Sequence, residues 1–327
     1  GDEINIKTMI YNDSFLPVPC AEIKNEMVGL VTGKEPASSV IALTSFNSRS
    51  IYEKFKCKYR GYYNYGPIEV KVEDMFGLFR WRRKVGCEGY LRVFPKIINL
   101  TRFDVKPMQT FGTVTKKQKA NEDYTNISDI RKYYPGDSFK KIHWKVSARK
   151  GSLHVKNYDT SGNAEAYIFL DLYRNSYDDI SRADTEEKAV ECATAIIHYM
   201  LSRNINTGLY EDGGKGVYVR GRDLDELRKF MDELIVARSD GKVPFGELLD
   251  SRSRLLPGGS SIVAVTPKID DSLVLKVVQL EETGFDVTVI CITSGEIEDR
   301  IIDRINRYRI KLTMIGLNDD IKASLEG

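Results

Sequence analysis

Residues equipped for chemistry concentrate in three runs: Ile130-Arg131-Lys132-Tyr133-Tyr134-Pro135-Gly136-Asp137, Lys141-Ile142-His143-Trp144-Lys145-Val146-Ser147-Ala148-Arg149, and Leu153-His154-Val155-Lys156-Asn157-Tyr158. Pro135-Gly136 is a turn pair: Pro fixes φ at the first central position and Gly tolerates positive φ at the second. Asp137 therefore emerges at a set point, from which it can cap the next short element. Phe139, Ile142 and Val146 are spaced to anchor that element, and Trp144 and Ala148 to fill a second contact. His143, Lys145 and Arg149 are left for polar work.

Three kinds of chemistry fit this set. In the favoured one, Arg131, Asp137 and Arg149 form an ion-pair network that locks two domains with Trp144 buried at the junction, because structural networks outnumber active sites. A binding surface is the next reading. The third is acid–base catalysis by Asp137, His143 and Lys145, suggested only by their clustering. No Ser or Cys in a nucleophile motif accompanies His143, so a packed hydrogen-bonding role is favoured for it. His154 and His198 stand without a second imidazole or thiol at ligand spacing. No G-x-G-x-x-G follows a strand and no G-x-x-x-x-G-K-[ST] occurs, which leaves dinucleotide and P-loop chemistry without support.

The elements that must position these residues fall into two classes. Residues 1–95 show short alternating, β-branched and aromatic runs broken by turns, among them 4–11, 21–27, 40–44, 51–59, 67–72, 79–85 and 90–94. About seven strands with no amphipathic helix between them predict an antiparallel, Ig-like β-sandwich. Arg60-Gly61-Tyr62 reads as punctuation between strands, and residues 74–79 as a turn between hydrophobic anchors. Residues 96–165 read as a connector that carries the chemistry-bearing runs, its Lys-rich portion 113–121 being an exposed loop.

Residues 166–327 alternate strands and helices. The apolar strand 166–170 ends at Asp171, and Asp184 with Glu187 predicts a capping box for a helix whose buried face includes Ala189, Ala193, Ile196 and Met200. Strands at 206–210 and 216–220 make a hairpin around a Gly-rich turn, so one edge strand is antiparallel. A helix carrying Leu224, Leu227, Met231 and Leu234 follows, then strand 261–266, a helix over 273–282, strand 285–291, a helix capped by Ser294 and strand 311–315. The result is an open, doubly wound sheet, in which ligands bind beyond the carboxyl ends of strands; here that is the loop after Asp171.

At 327 residues two hydrophobic cores are expected. Lys plus Arg number 49 against 47 Asp plus Glu, so no global field favours nucleic acid or an anionic surface, and a charged partner must be met by a local patch. The 5 cysteines are odd in number and never form C-x-x-C, which argues for a reducing compartment over a disulfide framework or zinc site. No apolar run approaches the ~18 residues needed to span a bilayer, so the chain as given is expected to be soluble. It opens directly on a strand pattern, and a preceding segment is therefore expected.

The three chemistry-bearing runs resemble the signature of the DUF58 family, and Arg60-Gly61-Tyr62 with residues 74–79 resembles that family's "RG-Y … DPFGL" region, Met75 replacing the usual proline. The resemblance implies a pair of membrane-spanning helices before the sandwich, a von Willebrand factor A-like domain at the end, and gene neighbours encoding MoxR-type AAA+ ATPases. In metal-binding A domains a D-x-S-x-S loop holds Mg²⁺ through oxygens. Here Asp171 matches, Tyr173 and Asn175 stand at the serine positions, and Arg174 adds a positive charge, so no metal or other cofactor is expected. A structural role at a strand end is the favoured reading of Asp171.

The expected function is a non-catalytic scaffold or adaptor that docks a protein partner such as a MoxR-type ATPase at the inner face of a bacterial membrane. Its interaction or domain-locking residues are Arg131, Tyr134, Pro135, Gly136, Asp137, His143, Trp144, Lys145, Arg149 and Lys156. A hydrolytic or acid–base enzyme built on Asp137, His143 and Lys145, and a divalent-dependent adhesive A domain built on Asp171, are the alternatives.

Overall fold

The computed structural model describes residues 3–36, 38–86, 89–104, 127–134, 139, 142–158, 165–212, 217–293 and 299–327. The first part is an antiparallel β-sandwich. Its strands are β1 (Glu3–Asn12), β2 (Val18–Asn25), β3 (Ser38–Leu43), β4 (Asn47–Lys56), β5 (Gly61–Asn64), β6 (Ile68–Glu73), β7 (Arg80–Val85) and β8 (Tyr90–Val93), with helix α1 (Glu26–Thr32) between β2 and β3. They pair as β1-β4, β5-β8 and a four-stranded sheet in the order β3-β2-β6-β7. Met27, Val31 and Cys57 form a small core with Ile4, Ile6, Phe55 and Leu91 around them.

Helix α1 departs from the all-strand expectation for this half, and local chemistry explains it. The Asn25 side chain accepts the Met27 N–H at 3.2 Å, capping the start, and Gly33 closes the end in a left-handed conformation. Met27 and Val31, four residues apart, then share the buried face.

Next come β9 (Ile127–Lys132), α2 (Trp144–Lys150) and β10 (His154–Tyr158), with β9 and β10 antiparallel. The remainder comprises β11 (Glu165–Leu170), α3 (Arg182–Ser202), β12 (Asn206–Glu211), β13 (Val217–Gly221), α4 (Leu227–Leu234), α5 (Phe245–Ser253), β14 (Ser261–Thr266), α6 (Asp271–Glu282), β15 (Asp286–Thr293), α7 (Asp299–Arg307), β16 (Lys311–Gly316) and α8 (Ile321–Glu326). The sheet order is β13-β12-β11-β14-β15-β16, parallel throughout except for β13 against β12. One face packs on α3, α4 and α8, the other on α5, α6 and α7. This is the expected doubly wound, A-like sheet with one antiparallel edge. Helices α5 and α8 are additions to the expected order. Among the described residues no helix is long and apolar enough to cross a membrane.

Part of the expected connector folds with this sheet. Leu100 and Phe103 are buried in its core, the Phe103 ring sits edge-on to Tyr199 at 6.2 Å, and the Glu326 carboxylate accepts the Thr101 N–H at 2.6 Å. The Lys-rich stretch 113–121 lies outside the described residues.

Arg60 ties the sandwich to the sheet. Its wholly buried guanidinium donates to Glu187 at 2.8 Å, to Glu186 at 3.0 Å and to the carbonyl oxygens of Leu234, at 2.8 Å, and Ala237. Beside it, Asp184 accepts from the Tyr59 hydroxyl at 2.9 Å and pairs with Lys58 at 2.7 Å. Asp184 and Glu187 were the expected capping box. They are spent on the sandwich instead, because α3 starts two residues before Asp184 and places both side chains on the face that meets it.

Candidate functional site

The β9-α2-β10 unit holds the chemistry-bearing runs. Ile142 bridges Val155 and both are buried, which pins the entry of α2 to β10. The Ser147 hydroxyl accepts the His154 N–H at 2.8 Å, and His143 N–H reaches the His154 carbonyl at 2.9 Å. His143 is the N-cap of α2: its Nδ1 accepts the Val146 N–H at 3.4 Å. His154 Nδ1 lies 2.7 Å from the Ser152 carbonyl oxygen.

Trp144 is not buried at a junction. It is 67% exposed, as are Tyr134 at 64% and Phe139 at 68%, and Lys145 and Arg149 are open to solvent beside it. Along α2, Val146 lies two residues from Trp144 and points about 200° away from it, so the partly buried Val146 and the exposed Trp144 fall on opposite sides of the helix. Phe139, expected as an anchor, stacks on Tyr133 at 5.8 Å instead. Arg131 and Lys156 lie on β9 and β10, Arg131 opposite Val155 and Lys156 opposite Ile130. Pro135, Gly136 and Asp137 fall outside the described residues, and with them the Arg131–Asp137–Arg149 network and the Asp137 member of the acid–base set. Of that set, His143 is engaged as a cap and Lys145 faces solvent.

A second concavity opens where the strand order reverses, between β11 and β14, the crevice that open α/β sheets use for ligands. It encloses about 290 Å³ and is bordered by Asp171, Asn175, Phe245, Glu247, Lys268 and Asp270. Asp171 is buried at its base, accepting the Tyr173 N–H at 2.9 Å through Oδ1 and the Thr266 hydroxyl at 2.7 Å through Oδ2. Burial, only partly offset by these bonds, pushes the Asp171 carboxyl up to about 6.

Gly241 staples the loop above it, donating to the Leu172 carbonyl and accepting from the Arg174 N–H, each at 3.0 Å. Gly241 was not singled out in the sequence, and Thr266 entered only as the end of strand 261–266. Thr266 has a signal in hindsight, since it ends the strand parallel to the one that ends at Asp171.

The donor set does not suit a hard divalent cation. Both oxygens of Asp171 are engaged, a phenol and an amide replace the two hydroxyls of the metal-binding loop, and Lys268 borders the crevice after β14. Among the described residues, no group of three or more His, Cys, Asp or Glu side chains is arranged to hold a metal.

Comparison with known proteins agrees with the resemblance read from the sequence. The family model "Protein of unknown function DUF58" matches residues 129–222. "Uncharacterized protein YeaD" of Bacillus subtilis (strain 168) is 21% identical over 187 residues, 57% of this chain and 45% of that protein. The chain thus spans less than half the length of that curated relative. Among solved structures, the conserved hypothetical protein BatB from Bacteroides thetaiotaomicron overlaps 50% of this chain and 94% of its own, at TM-score 0.37 and 13% identity. An aerotolerance-related membrane protein from Bacteroides fragilis NCTC 9343 overlaps 50% and 95%, at 0.36 and 14%. The SpRpn10 VWA domain overlaps 50% and 93%, at 0.34 and 17%. These overlaps are loose, and the architecture is established by the sheet order described above.

Proposed function

We propose that this chain, in which residues 129–222 match the DUF58 family model, is a non-catalytic adaptor. Its β9-α2-β10 unit docks a protein partner, a MoxR-type AAA+ ATPase, at the inner face of a bacterial membrane to which a preceding segment attaches it. The observation that carries the reading is the exposed aromatic and basic face of Tyr134, Phe139, Trp144, Lys145 and Arg149. Trp, Tyr and Arg dominate binding energy at interfaces because they bring large contact area or forked donors at modest entropy cost. A face left this open on a unit so firmly pinned by Ile142, Val155 and Ser147 is preorganised for a partner.

The test is a pull-down with the cognate ATPase. Trp144→Ala is expected to weaken capture by at least tenfold, since truncating a central aromatic anchor costs roughly 2 kcal/mol or more. Thermal stability should stay within about 0.5 kcal/mol of wild type, because the ring is largely in solvent. Arg149→Ala should act in the same direction. A folded wild type that fails to capture the ATPase removes the partner assignment.

A further inference from the structure

The end of the sandwich farthest from Arg60 presents an apolar tip that the proposed partner face does not use. Strand register places three loops there. Val18 at the start of β2 pairs with Leu43 at the end of β3, and Cys20 pairs with Glu73 at the end of β6. Asn12 at the end of β1 pairs with Asn47 at the start of β4, and Glu73 with Arg80 at the start of β7. Loops 13–17, 44–46 and 74–79 therefore leave from one end. At the opposite end Glu3 pairs with Lys56, from which the chain runs to Arg60 and the A-like sheet.

From these loops Phe15, Phe46, Met75, Phe76, Leu78 and Phe79 project, each 74% to 83% exposed. Six large apolar side chains at one end are far from the scattered single residues of an ordinary surface. Their backbones hold them outward. Asp74 accepts the Phe79 N–H through Oδ1 at 2.9 Å, and its carbonyl accepts the Gly77 N–H at 3.2 Å. Gly77, at φ 66°, closes the turn in the left-handed region where a side chain would be strained. Backbone amides of Phe79, Phe76 and Leu78 hold the Asp74 carboxyl below its ordinary range, so it stays ionised and keeps the turn shut. The Ser45 hydroxyl donates to the Phe15 carbonyl at 2.6 Å and the Phe46 N–H to Ser14 at 3.2 Å, with Phe46 itself at φ 50°.

Behind the tip lies a basic, aromatic collar. Arg80, Arg82, Arg83 and Lys84 lie along β7, Arg49 is the third residue of β4, and Trp81 is 53% exposed among them. Arg80, Arg82 and Lys84 are paired with Glu73, Glu69 and Glu26, whereas Arg49 and Arg83 make no ion pair among the described residues. Apolar residues at the front with Trp and Arg one layer back match the depth profile of a bilayer: hydrocarbon, then the headgroup zone where indoles settle, then anionic phosphates. Side chains from three separate loops need matching pockets on a protein, whereas fluid acyl chains close around them without any.

We propose that this three-loop end inserts peripherally into an anionic lipid bilayer, a contact independent of the partner face on α2. The experiment is co-sedimentation of the full chain with vesicles of phosphatidylcholine alone and of phosphatidylcholine mixed with phosphatidylglycerol. Wild type should pellet with the anionic vesicles and less with the neutral ones. The double variant Phe76→Ser with Leu78→Ser should weaken binding to both by at least roughly tenfold, because two large side chains no longer leave water. Arg83→Glu should weaken only the anionic case. In a Trp144→Phe background, Trp81 emission should shift to the blue on binding.

Wild type remaining in the supernatant with both vesicles, wild-type binding by the double variant, or an unshifted emission would each overturn the proposal. So would a concentration-dependent oligomer that the double variant abolishes while vesicle binding is absent, which would assign the tip to a second copy of the chain.

Discussion

Asp171 gives its stability to the loop it caps only in competition with its own desolvation. The carboxyl sits near 6 in the folded chain against an ordinary 3.8, so the folded state holds the proton more tightly than the unfolded state does. The stabilisation from that proton is complete below the unfolded value and is lost as pH rises through 6. Asparagine removes the titration while its oxygen can accept the Tyr173 N–H and its amide can donate to the Thr266 hydroxyl, which then donates to the Lys268 carbonyl already 2.8 Å away. Asp171→Asn is expected to match wild type near pH 4 and to exceed it at pH 8 by up to about 3 kcal/mol. Thermal unfolding at the two pH values checks this, and an equal difference at both would show that the carboxyl does not titrate in that window. A cation-dependent site would be expected to favour the opposite ranking once Mg²⁺ is added.

At the scale of elements, legibility followed the range of the forces involved. Strands β11, β14 and β15 are buried on both faces and were plain in sequence as continuous apolar runs. Helix α3 was plain from its buried stripe, because burial against the sheet demands that period. Helix α1 was missed although its Asn25 cap and the closing Gly33 were in view, since seven residues offer too little periodicity to outweigh the strand pattern on either side. Trp144 and Ala148 share helical spacing that suggests a second contact, but both face solvent, and it is Val146 across the helix that turns inward. The tight approach at Gly241 has no sequence signal. A Cβ there would run into the carbonyl oxygens of Asp212 and Leu172. Gly241→Ala should therefore push the loop over Asp171 out of place and lower stability by about 1–3 kcal/mol, read as a shifted urea midpoint with unchanged slope. A neutral outcome would mean that the 172–241 contact yields without cost.

For the molecule as a whole, the coupling of sandwich to sheet depends on Arg60, which the sequence presents as punctuation before Gly61 and as part of a family-like run, with no sign of its partners because Glu187 lies 127 residues on. One buried carboxylate, Glu186, and one partly buried, Glu187, face one buried guanidinium, and they respond differently. Burial raises the Glu187 carboxyl more than Arg60 lowers it. At Glu186, burial is outweighed by Arg60, by the Ser239 N–H and hydroxyl, and by Arg238, and the carboxyl falls below its ordinary value. Arg60→Met leaves Glu187 without its cation, whereas Glu186 retains Arg238 at 3.0 Å. Stranding a buried charge costs about 3–5 kcal/mol, and the loss should be larger at pH 8 than at pH 5, since protonation of the abandoned carboxyl relieves it. Calorimetry should then resolve two transitions in place of the single coupled transition expected of wild type, the sandwich melting first because its core is the smaller. Adding Glu187→Gln to Arg60→Met should recover part of the loss at pH 8 and little at pH 5. If Arg60→Met unfolds in one transition with no pH dependence, the two halves are held by packing elsewhere, and the buried arginine is not their coupling.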